Sequence, residues 1–357
     1  MTQFYSLVIK DIRRETPDCV SIAFDVPDNL VDAFRFTAGQ NITLRMQQGG
    51  EELRRSYSIC SSPLEMELRV AIKRQEEGKF STHANRHLQP GDRIDVLPPT
   101  GRFSLHGTGA TARSYLAFAA GSGITPVISI IKTILATAPE SRVTLVYGNR
   151  NRAGIIFREE LEALKNRYME RFSIHHILSR EETDAPFNHG RIDESKCELL
   201  SKHVANVEEM DDIFICGPEQ MIFTLRDWLL KKGIPKERIH FELFTVPGEQ
   251  VRQEKREVRV EEVQSSHVKI KLDGITIAFD HPFDGVSILD GALNQGADLP
   301  YACKGGVCAT CRAKLVKGEV EMDNNYALEA DELAAGFILT CQSHPRSAEV
   351  EVDFDDK

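Results

Sequence analysis

The chain has 357 residues, 41% hydrophobic and 27% charged, which exceeds one small core and fits two or three globular domains. A formal net charge of −10 argues against nucleic acid as a ligand, and nothing is low-complexity or repeated at a fixed period. The opening residues, MTQFYSLVIKDIRRE, are charged where an export signal needs an apolar core, so a cytoplasmic location is expected.

The first hundred residues read as β structure. Val20, Ile22, Phe24 and Val26 alternate with small or polar residues, and similar runs occur at Asn41 to Met46, Arg55 to Cys60, Glu67 to Ile72 and Arg93 to Leu97. With one helix expected near Ser81 to Leu88, this pattern predicts a small closed antiparallel barrel over residues 1–110. Within it, Arg55-Ser56-Tyr57-Ser58 puts Arg55 and Tyr57 on one face of a strand, where a guanidinium can hold a pyrophosphate and a phenol can stack on a flat ring. Taken alone, those four residues read better as a strand with an exposed Arg and a packed Tyr. Lys73 and Gly78-Lys79-Phe80-Ser81 add a Gly turn, a hydroxyl and helix N-terminal amides suited to a diphosphate.

After about Arg113 the rhythm changes to strand–helix alternation. Strands are expected at Tyr115 to Ala120, Arg142 to Tyr147, Phe172 to Leu178, Asp212 to Cys216 and Arg238 to Phe244, with helices at Pro126 to Ala136, Phe157 to Tyr168 and Glu219 to Lys232. This order means a parallel, doubly wound sheet over residues 111–246. The uncharged run Ser114 to Ile131 has the length of a membrane span, but Gly121-Ser122-Gly123 and Thr125-Pro126 interrupt it. A strand, a turn and a helix start fit it better. Gly121-Ser122-Gly123-Ile124-Thr125-Pro126 sits where a dinucleotide phosphate loop should, although Pro in the last place departs from GxGxxG. Cys216-Gly217-Pro218 ends another parallel strand, at the sheet edge where ligands bind. The segment Tyr147-Gly148-Asn149-Arg150-Asn151-Arg152 has no acid to pair a ribose 2′-hydroxyl, and its two arginines favour a 2′-phosphate, hence NADPH over NADH.

Residues 247–266 are polar and highly charged and read as a linker. The last segment, 267–357, opens with two period-two strands, Val268/Ile270/Leu272 and Ile275/Ile277/Phe279, around Asp273-Gly274, a hairpin signal, and a helix from Ser287 to Gln295 follows. Next comes LPYACKGGVCATC. Cys303, Cys308 and Cys311 have four and then two residues between them, and Cys341 follows after 29 more, which is the plant-type spacing for a [2Fe–2S] cluster. Gly305 and Gly306 can take φ > 0 and free neighbouring amides to point at sulfur. A structural zinc site, the competing reading, usually wants two separate short-spaced pairs, and only one is present. This last segment holds 16 Asp and Glu against 8 Lys and Arg, a solubility device or an acidic face that steers a basic redox partner.

Together RxYS, GxxS, GxGxxP and CGP, followed by CxxxxCxxC, resemble the ferredoxin–NADP reductase superfamily fused to a plant-type ferredoxin, over the entire chain. DLPYACKGGVCATC, FICGP, HGRID and DELAAG resemble, within it, the reductases that serve bacterial phenylacetyl-CoA epoxidases. The resemblance implies a multidomain α+β and α/β fold: a flavin-binding β-barrel, a Rossmann-like nucleotide domain and a C-terminal β-grasp ferredoxin domain. It implies FAD at Arg55, Tyr57, Ser58, Lys73, Lys79, Phe80 and Ser81, with Glu242 and Phe244 approaching the flavin. It further implies the pyridine nucleotide at Gly121, Gly123, Thr125 and Arg150, a nicotinamide pocket at Cys216, Gly217 and Pro218, and a cluster on Cys303, Cys308, Cys311 and Cys341. No catalytic acid or base is demanded. Electrons would run from NADPH through FAD and the cluster to a partner oxygenase, with Tyr301, Ala302 and Ala309 as an apolar rim around the cluster. The alternatives are a reductase for another oxygenase or for a hybrid-cluster-type protein, a zinc-bearing nucleotide-binding interaction protein, or a flavin-free NADPH sensor. Cys19, Cys60 and Cys197 read as core residues, and Glu237-Arg-Ile-His240 as a chance ExxH match.

Overall fold

The computed structural model describes residues 3–105, 112–183, 185–244 and 265–356. They form two compact units, 4–244 and 265–356. The expected linker lies outside the described residues up to 264, as does the expected 110/111 boundary.

The first unit opens with a six-stranded antiparallel sheet: β1 (Tyr5–Thr16), β2 (Cys19–Asp25), β3 (Asn41–Gln48), β4 (Glu51–Ser58), β5 (Leu68–Lys73) and β6 (Arg93–Val96), in the order β4-β3-β6-β1-β2-β5. A bridge between Ile59 and Val70 joins the two edges and closes the barrel. Helix α1 (Lys79–Arg86) starts two residues before the expected position, with Gly78 as its N-cap. Inward residues such as Ile22, Ile42, Leu44, Val70 and Ile72 are fully buried and make the barrel core. Strand β1 escaped the sequence reading because its second half, Asp11-Ile12-Arg13-Arg14-Glu15, is charged and the pairing with β2 shifts register at two places.

The same unit continues as β7 (Ser114–Ala120), α2 (Ile124–Thr137), β8 (Arg142–Asn149), α3 (Arg158–Arg167), β9 (Phe172–Leu178), α4 (Glu194–His203), β10 (Asp212–Gly217), α5 (Glu219–Lys231) and β11 (Ile239–Leu243). The strands pair in parallel in the order β11-β10-β7-β8-β9. The strand order reverses between β7 and β10, and a crevice at the C-terminal ends of strands at such a switch point is where ligands bind. Helix α4 was not expected: of its ten residues only Lys196, Cys197 and Leu200 are buried, too few for an apolar period. The 114–131 run is β7, a turn and α2, and no helix among the described residues is long and apolar enough to cross a membrane.

The elements of the second unit are β12 (Ser265–Leu272), β13 (Ile275–Pro282), α6 (Ile288–Asn294), β14 (Arg312–Lys317), β15 (Val320–Met322), α7 (Ala330–Ala334), β16 (Phe337–Leu339), β17 (Ser343–Pro345) and β18 (Glu349–Asp353). They make a five-stranded sheet, β13-β12-β18-β14-β16, and a two-stranded sheet, β15-β17. Leu272 pairs with Ile275, so Asp273-Gly274 is a two-residue turn, with φ of +50° and +76° as the hairpin requires. The core contains Cys311 and Cys341 beside Leu299, Leu339 and Val352, which anchors both ends of the cysteine loop to the fold.

Candidate functional site

The barrel contributes the end of β4 and the start of α1. Arg55 is exposed, Ser56 and Tyr57 are half-buried and Ser58 is buried, so burial deepens toward the end of the strand. The Tyr57 ring packs on buried Phe80 with centroids 5.6 Å apart, and burial pushes its phenol pKa up. Ser81 Oγ accepts from the Gln75 amide (3.0 Å) and donates to the Gly78 carbonyl (3.2 Å), so this hydroxyl braces the turn that opens α1. Lys79 pairs with Glu51, and Lys73 lies 3.7 Å from Asp18.

The nucleotide loop is tied to the sheet and braced within itself. Tyr147 Oη donates to the Gly121 carbonyl (3.0 Å), and Thr125 Oγ1 donates to the Ser122 carbonyl (3.0 Å). A Cβ at Gly123 would lie 2.1 Å from the Cys216 carbonyl oxygen, so only glycine lets the loop rest on the end of β10. Gly121, Gly123 and Thr125 thus stand beside Cys216, Gly217 and Pro218, at the switch point.

Glu242 joins this place to the barrel. It pairs across strands with Cys216 and accepts a 2.9 Å hydrogen bond from Ser58 Oγ. Part of the residue remains accessible, yet its carboxyl is enclosed; burial pushes its pKa up to about 8 against the pull of hydrogen bonds from Ser58 and Asn41. Asn41 was not singled out in the sequence, since nothing local marks it. Phe244 is 39% exposed.

At the other edge the sequence reading needs correction. The segment Arg150-Asn151-Arg152 directly after β8 holds no acid, but Glu181, just beyond β9, folds beside that loop: its carboxylate accepts from the Arg152 amide (2.7 Å) and lies 3.2 Å from Arg152 Nε. Parallel pairing of β8 with β9 brings it there, and the Arg180 amide bonds the Arg150 carbonyl at 2.8 Å. Both arginines are exposed, and Arg152 is engaged by a carboxylate.

In the second unit the four cysteines converge as two pairs, Cys303 with Cys308 and Cys311 with Cys341, and Cys303 also lies close enough to Cys341 to influence it. Among the described residues no three His, Cys, Asp or Glu converge on one metal ion; a core bridging two pairs suits this layout. The Gly305 amide points at Cys303 Sγ (3.4 Å) and Gln342 Nε2 at Cys341 Sγ (3.7 Å). The neighbouring Cys308 thiol and then the amides of Gly305, Val307 and Cys308 hold the Cys303 thiol below its ordinary range. Such donors fit a group whose sulfurs carry negative charge. The left-handed residues of the loop are Lys304, Gly306 and Ala309; Gly305, expected among them, is not. Gly306 must be glycine on two counts, φ +76° and a Cβ that would meet the Asn324 carbonyl at 2.9 Å. Gln342, which no motif marks, also donates to the Lys304 carbonyl (2.9 Å) and holds the loop to its fourth cysteine. Of the expected rim, Ala302 is buried and Tyr301 and Ala309 are half-buried.

The set-aside residues behave as structural groups: Cys19, Cys60 and Cys197 are buried, and His240 Nε2 pairs with Asp212 (2.9 Å).

Three family descriptions match the chain in order: "Oxidoreductase FAD-binding domain" over residues 6–105, "Oxidoreductase NAD-binding domain" over residues 118–227 and "2Fe-2S iron-sulfur cluster binding domain" over residues 270–346. The chain is 46% identical over 357 residues to one component of the 1,2-phenylacetyl-CoA epoxidase of Escherichia coli (strain K12), covering 100% of this chain and 99% of that protein. It is 33% identical over 353 residues to the ferredoxin reductase component of 3-ketosteroid-9-alpha-monooxygenase from Rhodococcus rhodochrous, covering 98% and 96%. Among solved structures it is similar to phthalate dioxygenase reductase, described as a modular structure for electron transfer from pyridine nucleotides to [2Fe–2S], with a TM-score of 0.60 and 25% identity over 98% of each chain. The chain therefore belongs to the ferredoxin–NADP reductase superfamily, in the branch that fuses FAD-binding, NAD-binding and [2Fe–2S] ferredoxin domains, and it is an NAD(P)H-dependent oxidoreductase.

Proposed function

We propose that this reductase draws electrons from NADPH and delivers them in the cytoplasm to the oxygenase component of a phenylacetyl-CoA epoxidase. The observation that carries the electron route is the Ser58–Glu242 hydrogen bond, which puts the flavin-type motif of β4 beside Cys216 and the loop Gly121–Gly123. The acceptor rests on 46% identity along the full chain to a component of such an epoxidase. We assign residues 1–110 to flavin, 111–246 to nucleotide, 247–266 to a linker and 267–357 to the cluster.

When bound, flavin takes two electrons from the nicotinamide and releases them singly, which matches a one-electron cluster. The chain's own residues then have separate tasks. Arg55 offers charge to the FAD diphosphate, with Lys73, Lys79, Phe80 and Ser81 shaping the turn and helix start that receive it. Tyr57, held against Phe80, offers an aromatic face, and the exposed Phe244 two residues beyond Glu242 offers a second. Ser58 and Glu242 keep a proton at the junction; Glu242 holds its own to about pH 8. Gly121, Gly123 and Thr125 receive the nucleotide phosphates at the α2 N-terminus, and Cys216, Gly217 and Pro218 line the nicotinamide side. Arg150 is left to meet a 2′-phosphate. Cys303, Cys308, Cys311 and Cys341 would hold the cluster through their four thiolates, giving a one-electron outlet.

The test is NADPH-driven turnover of phenylacetyl-CoA by the oxygenase component with and without this chain. Epoxide formation coupled to NADPH oxidation only when the chain is present supports the acceptor. NADPH oxidation by the loaded chain that never yields product, while another oxygenase is served, overturns it.

A further inference from the structure

We propose that two hydroxyl contacts, Ser129 to the Ser61 carbonyl and Ser62 to Thr133, pin the flavin-bearing strand to the nucleotide-bearing helix in one register, and that Ser129 and Thr133 are positioning residues for the two-electron step from nicotinamide to flavin. The proposal rests on the residue assignments made above. Strand β4 ends at Ser58 and runs directly into Ile59–Glu65, so Ser61 is three residues beyond a flavin candidate. Helix α2 carries Thr125 in its first turn, and Ser129 and Thr133 follow at spacings of four on the same face.

The contacts between these segments are directional. Ser129, fully buried, donates through Oγ to the Ser61 carbonyl at 2.6 Å. Ser61 is itself fastened to the barrel, because its hydroxyl donates to the Glu67 carbonyl (2.5 Å) and accepts from the Arg69 amide (3.1 Å). Thr133 Oγ1 donates to the Ser129 carbonyl (2.8 Å), which commits its proton. Of the two hydroxyls 2.9 Å apart, Ser62 must therefore be the donor and Thr133 the acceptor. Beside them Lys132, 9% exposed, bridges Glu65 of the barrel segment and Glu160 of α3, each at 2.9 Å.

Apolar packing also joins the two halves: Cys19, Ala38, Cys60 and Ala71 of the barrel share a core with Ile124, Val127 and Ile131 of α2. That packing supplies adhesion without direction and tolerates sliding; hydrogen bonds with fixed lengths and angles do not. Register is what the reaction needs, since a misplacement of about 1 Å can cost ~10²-fold in rate.

The test compares Thr133→Val, which keeps shape and loses the hydroxyl, with Thr133→Ser, which keeps the hydroxyl, alongside Ser129→Ala and the double variant Ser129→Ala/Thr133→Val. In single-turnover flavin bleaching by NADPH, the limiting rate of Thr133→Val and the double variant is expected to fall roughly tenfold while half-saturation changes less than about twofold. The nicotinamide–flavin charge-transfer absorbance weakens, amide exchange over 59–66 in the flavin-free protein rises, and Thr133→Ser restores all three. A limiting rate and charge-transfer band per bound flavin equal to the parent's in Thr133→Val overturn the proposal, whatever the melting temperature does; this single variant suffices if the double one fails to fold. Thr125→Ala and Tyr57→Ala run in parallel. If they leave nucleotide saturation and flavin retention unchanged, the residue assignments fail independently of the pin.

Discussion

Ser58 and Glu242 lie 184 residues apart in the chain and 2.9 Å apart in the fold, and their hydrogen bond joins a barrel strand to the last strand of the parallel sheet. The carboxyl holds its proton more tightly here than in the unfolded chain, about 8 against an ordinary 4.5. Its contribution to stability is therefore full below about pH 4.5 and is lost as pH rises through 8. The flavin-free protein should lose on the order of 2 kcal/mol between pH 6 and 9 from this group, read as a falling unfolding midpoint. Glu242→Gln cannot ionise and should flatten that component; an unchanged slope in the variant contradicts the assignment.

Each of Cys303, Cys308, Cys311 and Cys341 is assigned to the cluster. Serine at any one position should lower bound iron and labile sulfide and cut cytochrome c reduction by ~10²-fold or more. Ferricyanide reduction, which flavin alone supports, should stay within about twofold. Iron and sulfide retained in full in all four variants would remove the thiols from that role.

The Arg152–Glu181 pair makes nucleotide choice testable. Arg150→Gln should lower kcat/KM for NADPH roughly tenfold and leave NADH nearly unchanged, because a charge-assisted contact to a 2′-phosphate is lost. Glu181→Gln should release Arg152 and move the NADPH/NADH ratio upward by a few-fold. Equal effects on both nucleotides in Arg150→Gln would place that arginine elsewhere.

At Gly123 the obstacle is a neighbour, since its φ of −61° suits any residue and a Cβ meets the Cys216 carbonyl at 2.1 Å. Gly123→Ala should destabilise the first unit by roughly 2 kcal/mol or more and raise the half-saturating nucleotide concentration at least tenfold. Melting curves and nucleotide titration check both.

The parts that declared themselves in the sequence are those whose chemistry is local. The Cys303–Cys311 spacing, the Asp273-Gly274 turn and the Gly121–Gly123 loop each depend on residues within a few positions of one another; the turn joins its two strands and the loop opens its helix as their patterns suggest. What stayed hidden depends on pairing. Glu181 reaches Arg152 only because β8 and β9 run parallel, and Asn41 reaches Glu242 from a strand far away in the chain. Gly305 and Gly306 illustrate the limit on a finer scale: both were permitted φ > 0, but the loop spends left-handed turns at Lys304 and Ala309 instead of Gly305. Helix α4 lacked a periodic apolar face because its neighbours ask it to bury only three residues.

The electron route is tested most directly by anaerobic titration of the purified chain with NADPH, followed by visible absorbance and by electron paramagnetic resonance of the frozen samples. The expected result is bleaching of flavin and appearance of a reduced [2Fe–2S] signal approaching one spin per chain, with Cys308→Ser keeping the first and losing the second. A parent protein whose flavin bleaches in full while no cluster signal develops, at measured stoichiometric iron and sulfide, would contradict it.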